Sequence, residues 1–298
     1  MDYGRIISKS FEIAWRYKSL WIFGMFAGGG YSNFNINLPT EESSFFDPQQ
    51  FGFPRFSEEF LGLFVLAAVA AGLVFAVASL ISQAAIIDSV NRITRGGRYR
   101  FGDAFSAGLD CFWRFLGLTI LFVISLMAAI FVLVIIGVIF FAVHTILGIL
   151  SLLVLVPGGI FIFFYLISVM SLAERSIVVR NISIGDSLEE AFYLVRKHLG
   201  KVVVMFFIFL AFTIGFAIVS LIIWGIFAVP VAAVGLIGDM NPIQAILMGI
   251  VAGLPISLVI GGFLGVFFTN LYTLFYFELV EPSVVPVAQQ PPPAPTMG

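Results

Sequence analysis

Charge is the first thing this chain is short of. Of its 298 residues only 11% are Asp, Glu, Lys or Arg, against roughly a quarter in a soluble globular domain. A water-soluble protein still needs a solvated skin, so the deficit points to lipid as the surrounding medium. Cysteine is nearly absent: Cys111 stands alone, which excludes an intrachain disulfide and a thiolate metal cluster within one chain. Histidine occurs only as His144 and His198. No nucleotide-binding loop, metallopeptidase helix or serine elbow is found, and Gly28-Gly29-Gly30 lacks the lysine and hydroxyl partner of a phosphate loop. The expectation is therefore no cofactor, no metal and no nucleic acid partner.

What is abundant is uninterrupted apolar sequence. Phe60–Ile87, Phe115–Ala173, Val202–Gly238 and Met240–Phe277 carry no charge at all. About 20 apolar residues span a bilayer. The 59 residues of the second run would make a helix ~88 Å long, so that run must fold back once, near His144, Thr145 and Gly148. Adding a shorter first helix gives an all-α polytopic membrane protein of about six transmembrane helices, near 14–30, 60–87, 115–143, 149–173, 202–234 and 246–277. The membrane domain covers 1–281, and 282–298, with its Pro291-Pro292-Pro293 run, reads as a disordered cytoplasmic tail. The N-terminus resembles a signal peptide in its basic residues and apolar run. Its charges are spread through 18 positions and no clear Ala-x-Ala site follows, so it reads as a retained helix.

Between the apolar runs lie three amphipathic segments, at 3–18, 99–114 and 182–201. In the first, Ile7, Phe11, Ala14 and Trp15 share a helical face. In the second the face is Phe101, Phe105, Leu109 and Phe112, opposite Asp103, Ser106 and Asp110. In the third it is Leu188, Ala191, Phe192, Val195 and Leu199, with Ser183 as the cap. Such helices suit the headgroup layer. Superposing them on Gly4, Gly102 and Gly185 puts Phe11, Leu109 and Phe192 seven positions on, and Arg16, Arg114 and Lys197 twelve on. The simplest account is a threefold repeat, each copy an amphipathic segment followed by paired spans. The plainer account is that any interfacial helix ending at a bilayer looks like this.

Fourteen of the 15 Lys and Arg residues sit in or beside these segments, and the other is Arg55 in the acidic, Pro-broken stretch 31–59. The bias of basic residues toward the cytoplasm makes 31–59 an external loop and puts both termini inside, at the inner membrane of a cell. Asn33–Leu38 admits a small two-stranded element there, although an irregular loop fits better.

Val156-Pro157-Gly158, the aromatic run Phe161–Tyr165, Glu174, and Ser183–Phe192 followed by Arg196-Lys197 together resemble a diffuse group of prokaryotic integral membrane proteins. That group includes the membrane region found beside some glycerophosphoryl diester phosphodiesterases and related uncharacterised inner-membrane proteins. The resemblance is strongest over 150–215 and implies a six-helix fold. The soluble phosphodiesterase domain has no counterpart here, so its catalytic activity does not carry over.

The residue-level candidates are few. Arg92, Arg95, Arg98 and Arg100 form a cluster suited to anionic lipid, although membrane orientation alone also explains it. Pro157, Gly158 and Pro255 mark helix-kink or gating positions, since proline removes a backbone donor. Asp88, Asp103, Glu174, Asp186 and Glu278 would suggest an enzyme if two or more met in a cleft. The leading expectation is a non-enzymatic membrane protein acting by interaction or membrane organisation, its partners being membrane lipids and a second copy or another membrane protein. The alternative is a transporter or channel-like protein for a lipidic or small neutral solute.

Overall fold

A computed structural model describes residues 2–27, 58–237 and 242–280. The described residues are helical throughout their ordered elements, with no strand among them. In order these are α1 (Tyr3–Arg16), α2 (Leu20–Ala27), α3 (Glu58–Thr94), α4 (Phe101–Val143), α5 (Thr145–Arg180), α6 (Ile184–Lys197), α7 (Leu199–Ile237) and α8 (Pro242–Val280). The expected loop and strand pair within 31–57 and the Pro-rich tail lie outside the described residues.

Among the described residues five helices are long and apolar enough to cross a membrane: α3, α4, α5, α7 and α8. The chain is thus an integral, multi-pass helical membrane protein. Each expected span from 60 onward falls inside one of these helices, but the helices are longer than the spans. The Arg-rich stretch after Phe60–Ile87 is mostly helical: α3 runs on to Thr94 and α4 starts at Phe101, leaving only 95–100 as connection. There Gly96 adopts φ +79° and the Gly97 amide donates to the Arg92 carbonyl over 2.8 Å, a glycine helix stop. The first expected span behaves differently. The chain breaks between Arg16 and Leu20, and the eight described residues of α2 reach only ~12 Å, short of a ~30 Å hydrocarbon core.

The fold-back in the longest apolar run is one residue wide. His144 takes an extended backbone (φ −165°, ψ 133°), terminating α4 and capping α5 through Nδ1, which accepts from the Ile146 amide at 3.2 Å. Gly148 lies under the Phe141 ring, whose carbons would be 2.4 Å from a Cβ there. A side chain at 148 would push the hairpin apart.

The chain clusters into two compact units. The first takes α1 up to Ile13, α3 from Ala84 on through α4, α5 and α6 to Phe206, and α8 from Phe268. Its core sits among the basic helix ends. Phe268–Leu271 and Thr273–Leu279 of α8 are buried on every side, as are Ala84–Ile87 of α3 and Leu172, Ala173, Ser176 and Ile177 of α5. By contrast the apolar middles of α4 and α5 are exposed: only 6% of the span window is buried in either helix, against 61% in α8. Lipid is as apolar as leucine, so those side chains have no drive to be covered by protein.

The second unit holds α2, α3 up to Gln83, and Phe207–Phe267 from α7 and α8. Here α2 meets α8 backbone to backbone. A Cβ on Gly24 would lie 1.9 Å from the Gly262 carbonyl oxygen, and one on Gly265 would lie 2.3 Å from the Gly24 oxygen. Small residues permit this approach between membrane helices. Trp21 clamps the crossing: its indole donates to the Ala14 carbonyl at 2.7 Å and its ring lies edge-on to Phe263 with centroids 5.7 Å apart.

The three amphipathic segments repeat in burial as well as in sequence. In the register set by Gly4, Gly102 and Gly185, Ile6, Ala104 and Ser187 are equivalent and all buried. So are Ser10, Gly108 and Ala191, and then Ile13, Cys111 and Leu194. The expected apolar face is therefore the core face only in part: Ala14, Ala191 and Val195 are buried, whereas Phe11, Leu109 and Phe192 are 49%, 47% and 42% exposed. At the middle of the inward stripe the small side chains of Ser10, Gly108 and Ala191 admit a closer neighbour.

Candidate functional site

The polar side chains converge in the first unit, where α5, α6 and the end of α8 meet. α6 is started by Ser183, whose Oγ accepts from the Asp186 amide at 3.3 Å and donates to Oδ2 of Asp186 at 2.7 Å. The serine is thus an N-cap, with aspartate standing where a capping box has glutamate. About two turns after Ser183, Glu190 faces inward. Ser176 donates to its Oε2, Tyr276 donates to Oε1 at 3.2 Å, and Arg180 forms an ion pair with Oε1 at 3.1 Å. One carboxylate thus ties α6 to α5 and α8.

A second knot surrounds Arg175, which is buried. Its Nη1 donates to the Ser171 carbonyl at 2.5 Å and to Oε2 of Glu174 at 2.6 Å, and its guanidinium lies 5.4 Å from the Tyr272 ring centroid. The planar cation satisfies hydrogen bonds in its plane and the aromatic quadrupole on its face. A third tie pairs Arg5 of α1 with Glu278 of α8, beside a weak bond from Asn270 Nδ2 to the Ser10 carbonyl at 3.4 Å. Asn181 ends α5 in the left-handed region (φ 55°), a role for which asparagine is the usual non-glycine choice, and Arg114 donates to its Oδ1 at 2.7 Å.

Of the carboxylates weighed as an acid–base set, two come together. Arg92 pairs with Asp88 at 2.7 Å and with Asp103 at 3.7 Å, joining α3 to the head of α4. This is a bridge on a half-exposed surface, built around a cation that occupies the space between the two acids. Glu174, Asp186 and Glu278 are each held by a different partner, as described. Among the described residues no group of three His, Cys, Asp or Glu could hold a metal, and Cys111 is a buried free thiol.

The arginine cluster divides. Arg92 is engaged by the two aspartates and Arg95 donates to Asn91 at 2.8 Å, whereas Arg98 and Arg100 extend into the surroundings. Pro157 and Pro255 lie inside α5 and α8, which remain helical on both sides. Near Pro157, Gly159 borders an apolar cleft of about 320 Å³ with Leu126, Ala129, Leu133 and Phe163. Another apolar cleft of about 420 Å³ runs along α7 at Ala211, Phe212, Gly215 and Phe216.

Two basic groups outside the spans are held away from their ordinary titration. Lys9 is lowered, first by burial. His198, at the α6–α7 junction, is lowered by burial and then by the charges of Lys201 and Lys197. Its protonation therefore opposes the native state. The stability it contributes is full above the unfolded value of about 6.5 and declines as pH falls through that value toward the lower folded one. In an NMR titration of imidazole-labelled protein, with His144→Gln for assignment, His198 is expected to titrate below about 6.5. Lys201→Met should move it upward; a midpoint unaffected by that change would remove the cause given.

The sequence signal for the polar core was present in part. Ser183 is legible as the cap of an amphipathic segment, whereas Ser176, Asn181, Arg180 and Tyr276 have no local pattern that pairs them with partners far along the chain. No family model, curated protein or solved structure matches this chain.

Proposed function

We propose that this membrane protein works without catalysis, as an interacting or membrane-organising element that uses the surfaces of its helices. One observation carries this: its ionisable groups are spent on joining helix ends to one another, through Glu190, Arg92, Arg175 and the Arg5–Glu278 pair. Catalytic acids and bases need to face a substrate; these face each other. The apolar middles of α4 and α5, exposed on nearly every side, supply area for lipid, a second copy or another membrane protein. The clustering of Lys and Arg around α1, the α3–α4 connection and α6 supports an inner-membrane orientation with both termini cytoplasmic. The likeness of 150–215 to prokaryotic inner-membrane proteins of the phosphodiesterase-associated kind belongs to the same proposal.

A second reading, a transporter or channel-like protein for a lipidic or small neutral solute, is favoured by the cleft beside Gly159, whose apolar lining would suit an acyl chain. Reconstitution into liposomes decides between them. The organising role is expected to leave fluorescent lipid on its original leaflet, at the rate of empty vesicles. Accelerated exchange that Gly159→Leu abolishes would replace it with the transport reading.

A further inference from the structure

The three amphipathic segments have a second apolar stripe that their packing leaves partly exposed. Their core stripe is the set of small and medium residues described above. The other stripe runs through Ile7 and Phe11 in α1, Phe101, Phe105 and Leu109 at the head of α4, and Leu188 and Phe192 in α6. Trp113, one turn after Leu109, is 76% exposed. In the repeat register Ile7, Phe105 and Leu188 are equivalent, as are Phe11, Leu109 and Phe192. The position of Phe11, Leu109 and Phe192 thus carries an exposed, bulky apolar side chain three times over. A single exposed large apolar side chain needs no explanation; three in one register do.

We infer that these stripes seat the three helices in the headgroup–acyl boundary of an anionic lipid leaflet, with Arg98 and Arg100 binding its phosphates. Charge selects this occupant. Arg98 and Arg100 project from the turn that leads directly into Phe101 and Phe105, so cation and aromatic arrive together. On the head of α4, Asp103 and Asp110 lie across the helical wheel from Phe101, Phe105 and Leu109, away from the leaflet. In α6 the stripe ends at Arg196 and Lys197, and the Lys197 ammonium rests 5.3 Å from the Tyr193 ring centroid. α1 and α6, amphipathic helices with aromatics at one face and cations at the rim, suit the interface plane, while the head of α4 crosses the same boundary as the start of its span, with Trp113 placed as an interfacial anchor. Arg92 and Arg95 are excluded from the site because Asp88, Asp103 and Asn91 hold them. This deepens the organising role by naming its lipid partner.

The test uses the full chain in lipid nanodiscs, with Cys111→Ala removing the native thiol and a nitroxide at Phe11→Cys, Leu109→Cys or Phe192→Cys. All three labels are expected to collide more with oxygen than with a water-soluble nickel chelate, as a site below the phosphates does. A label at Asp110→Cys should show the reverse. Arg98→Gln and Arg100→Gln, both at exposed positions, should each cut the enrichment of phosphatidylglycerol over phosphatidylcholine around the protein roughly fivefold. Water-like accessibility at 109 and 192 overturns the inference. So does shielding from both reagents, which would mean that a second copy or another protein covers the stripe. Lipid-like labels with no effect of the arginine changes overturn the anionic selectivity. Accelerated lipid exchange with these labels still lipid-like would defeat the organising role alone and leave this surface standing.

Discussion

Gly24→Ala is expected to melt far below the wild-type protein in detergent. The added Cβ would sit 1.9 Å from the Gly262 oxygen, 2.8 Å from its carbonyl carbon and 2.9 Å from Cγ2 of Val266. Two of those three atoms are backbone and cannot rotate aside, so α2 must move off α8. Overpacking a tight site costs about 1–3 kcal/mol and occasionally more, and this geometry places it at the upper end. Gly265→Ala should behave alike, since its Cβ would meet the Gly24 oxygen at 2.3 Å. The double variant should cost much less than the sum, because the first change already opens the crossing. Gly72→Ala on α3, where nothing lies within 4 Å, is the control and should be neutral or slightly stabilising from helix propensity. Thermal unfolding monitored by circular dichroism reads all four. If Gly24→Ala and Gly72→Ala melt together, α2 does not pack on α8 through these glycines.

Glu190→Ala should destabilise the first unit by about 2–3 kcal/mol, the penalty for leaving buried donors without an acceptor. Ser176 and Tyr276 lose the carboxylate that accepts from their hydroxyls, while Arg180, 42% exposed, recovers most of its loss from water. The ion pair itself therefore contributes little, and the hydroxyl bonds contribute most. Glu190→Gln keeps an acceptor for both hydroxyls and should cost under about 1 kcal/mol. The ordering Ala well below Gln, with Arg180→Gln near wild type, can be read by denaturant titration. Equal losses for Glu190→Gln and Glu190→Ala would show that charge pairing dominates.

These expectations differ in how far they could be seen from the chain alone. The glycines at 24, 262 and 265 are visible as letters, but nothing local says which of the chain's 29 glycines touches another backbone. Glu190 sits in a recognisable amphipathic helix, yet its donors Ser176 and Tyr276 are 14 and 86 residues away. The end of α8 is apolar enough to cross a membrane, yet it is buried nearly all round, and Asn270, Tyr272 and Tyr276 serve partners within the protein.

Composition and uncharged run length were enough to establish a helical, multi-pass membrane protein and the fold-back at His144, and local motif rules were enough for the Ser183 cap. All of these follow from hydrocarbon thickness, helix rise and the satisfaction of backbone donors. Which residues of each amphipathic helix meet protein came only from the packing. In water, burial and hydrophobicity point the same way. Beside a bilayer an apolar side chain has two favourable neighbours, and periodicity cannot choose between them. In the tertiary structure Ser10, Gly108 and Ala191 turned inward, where helices approach closely, and Phe11, Leu109 and Phe192 stayed exposed.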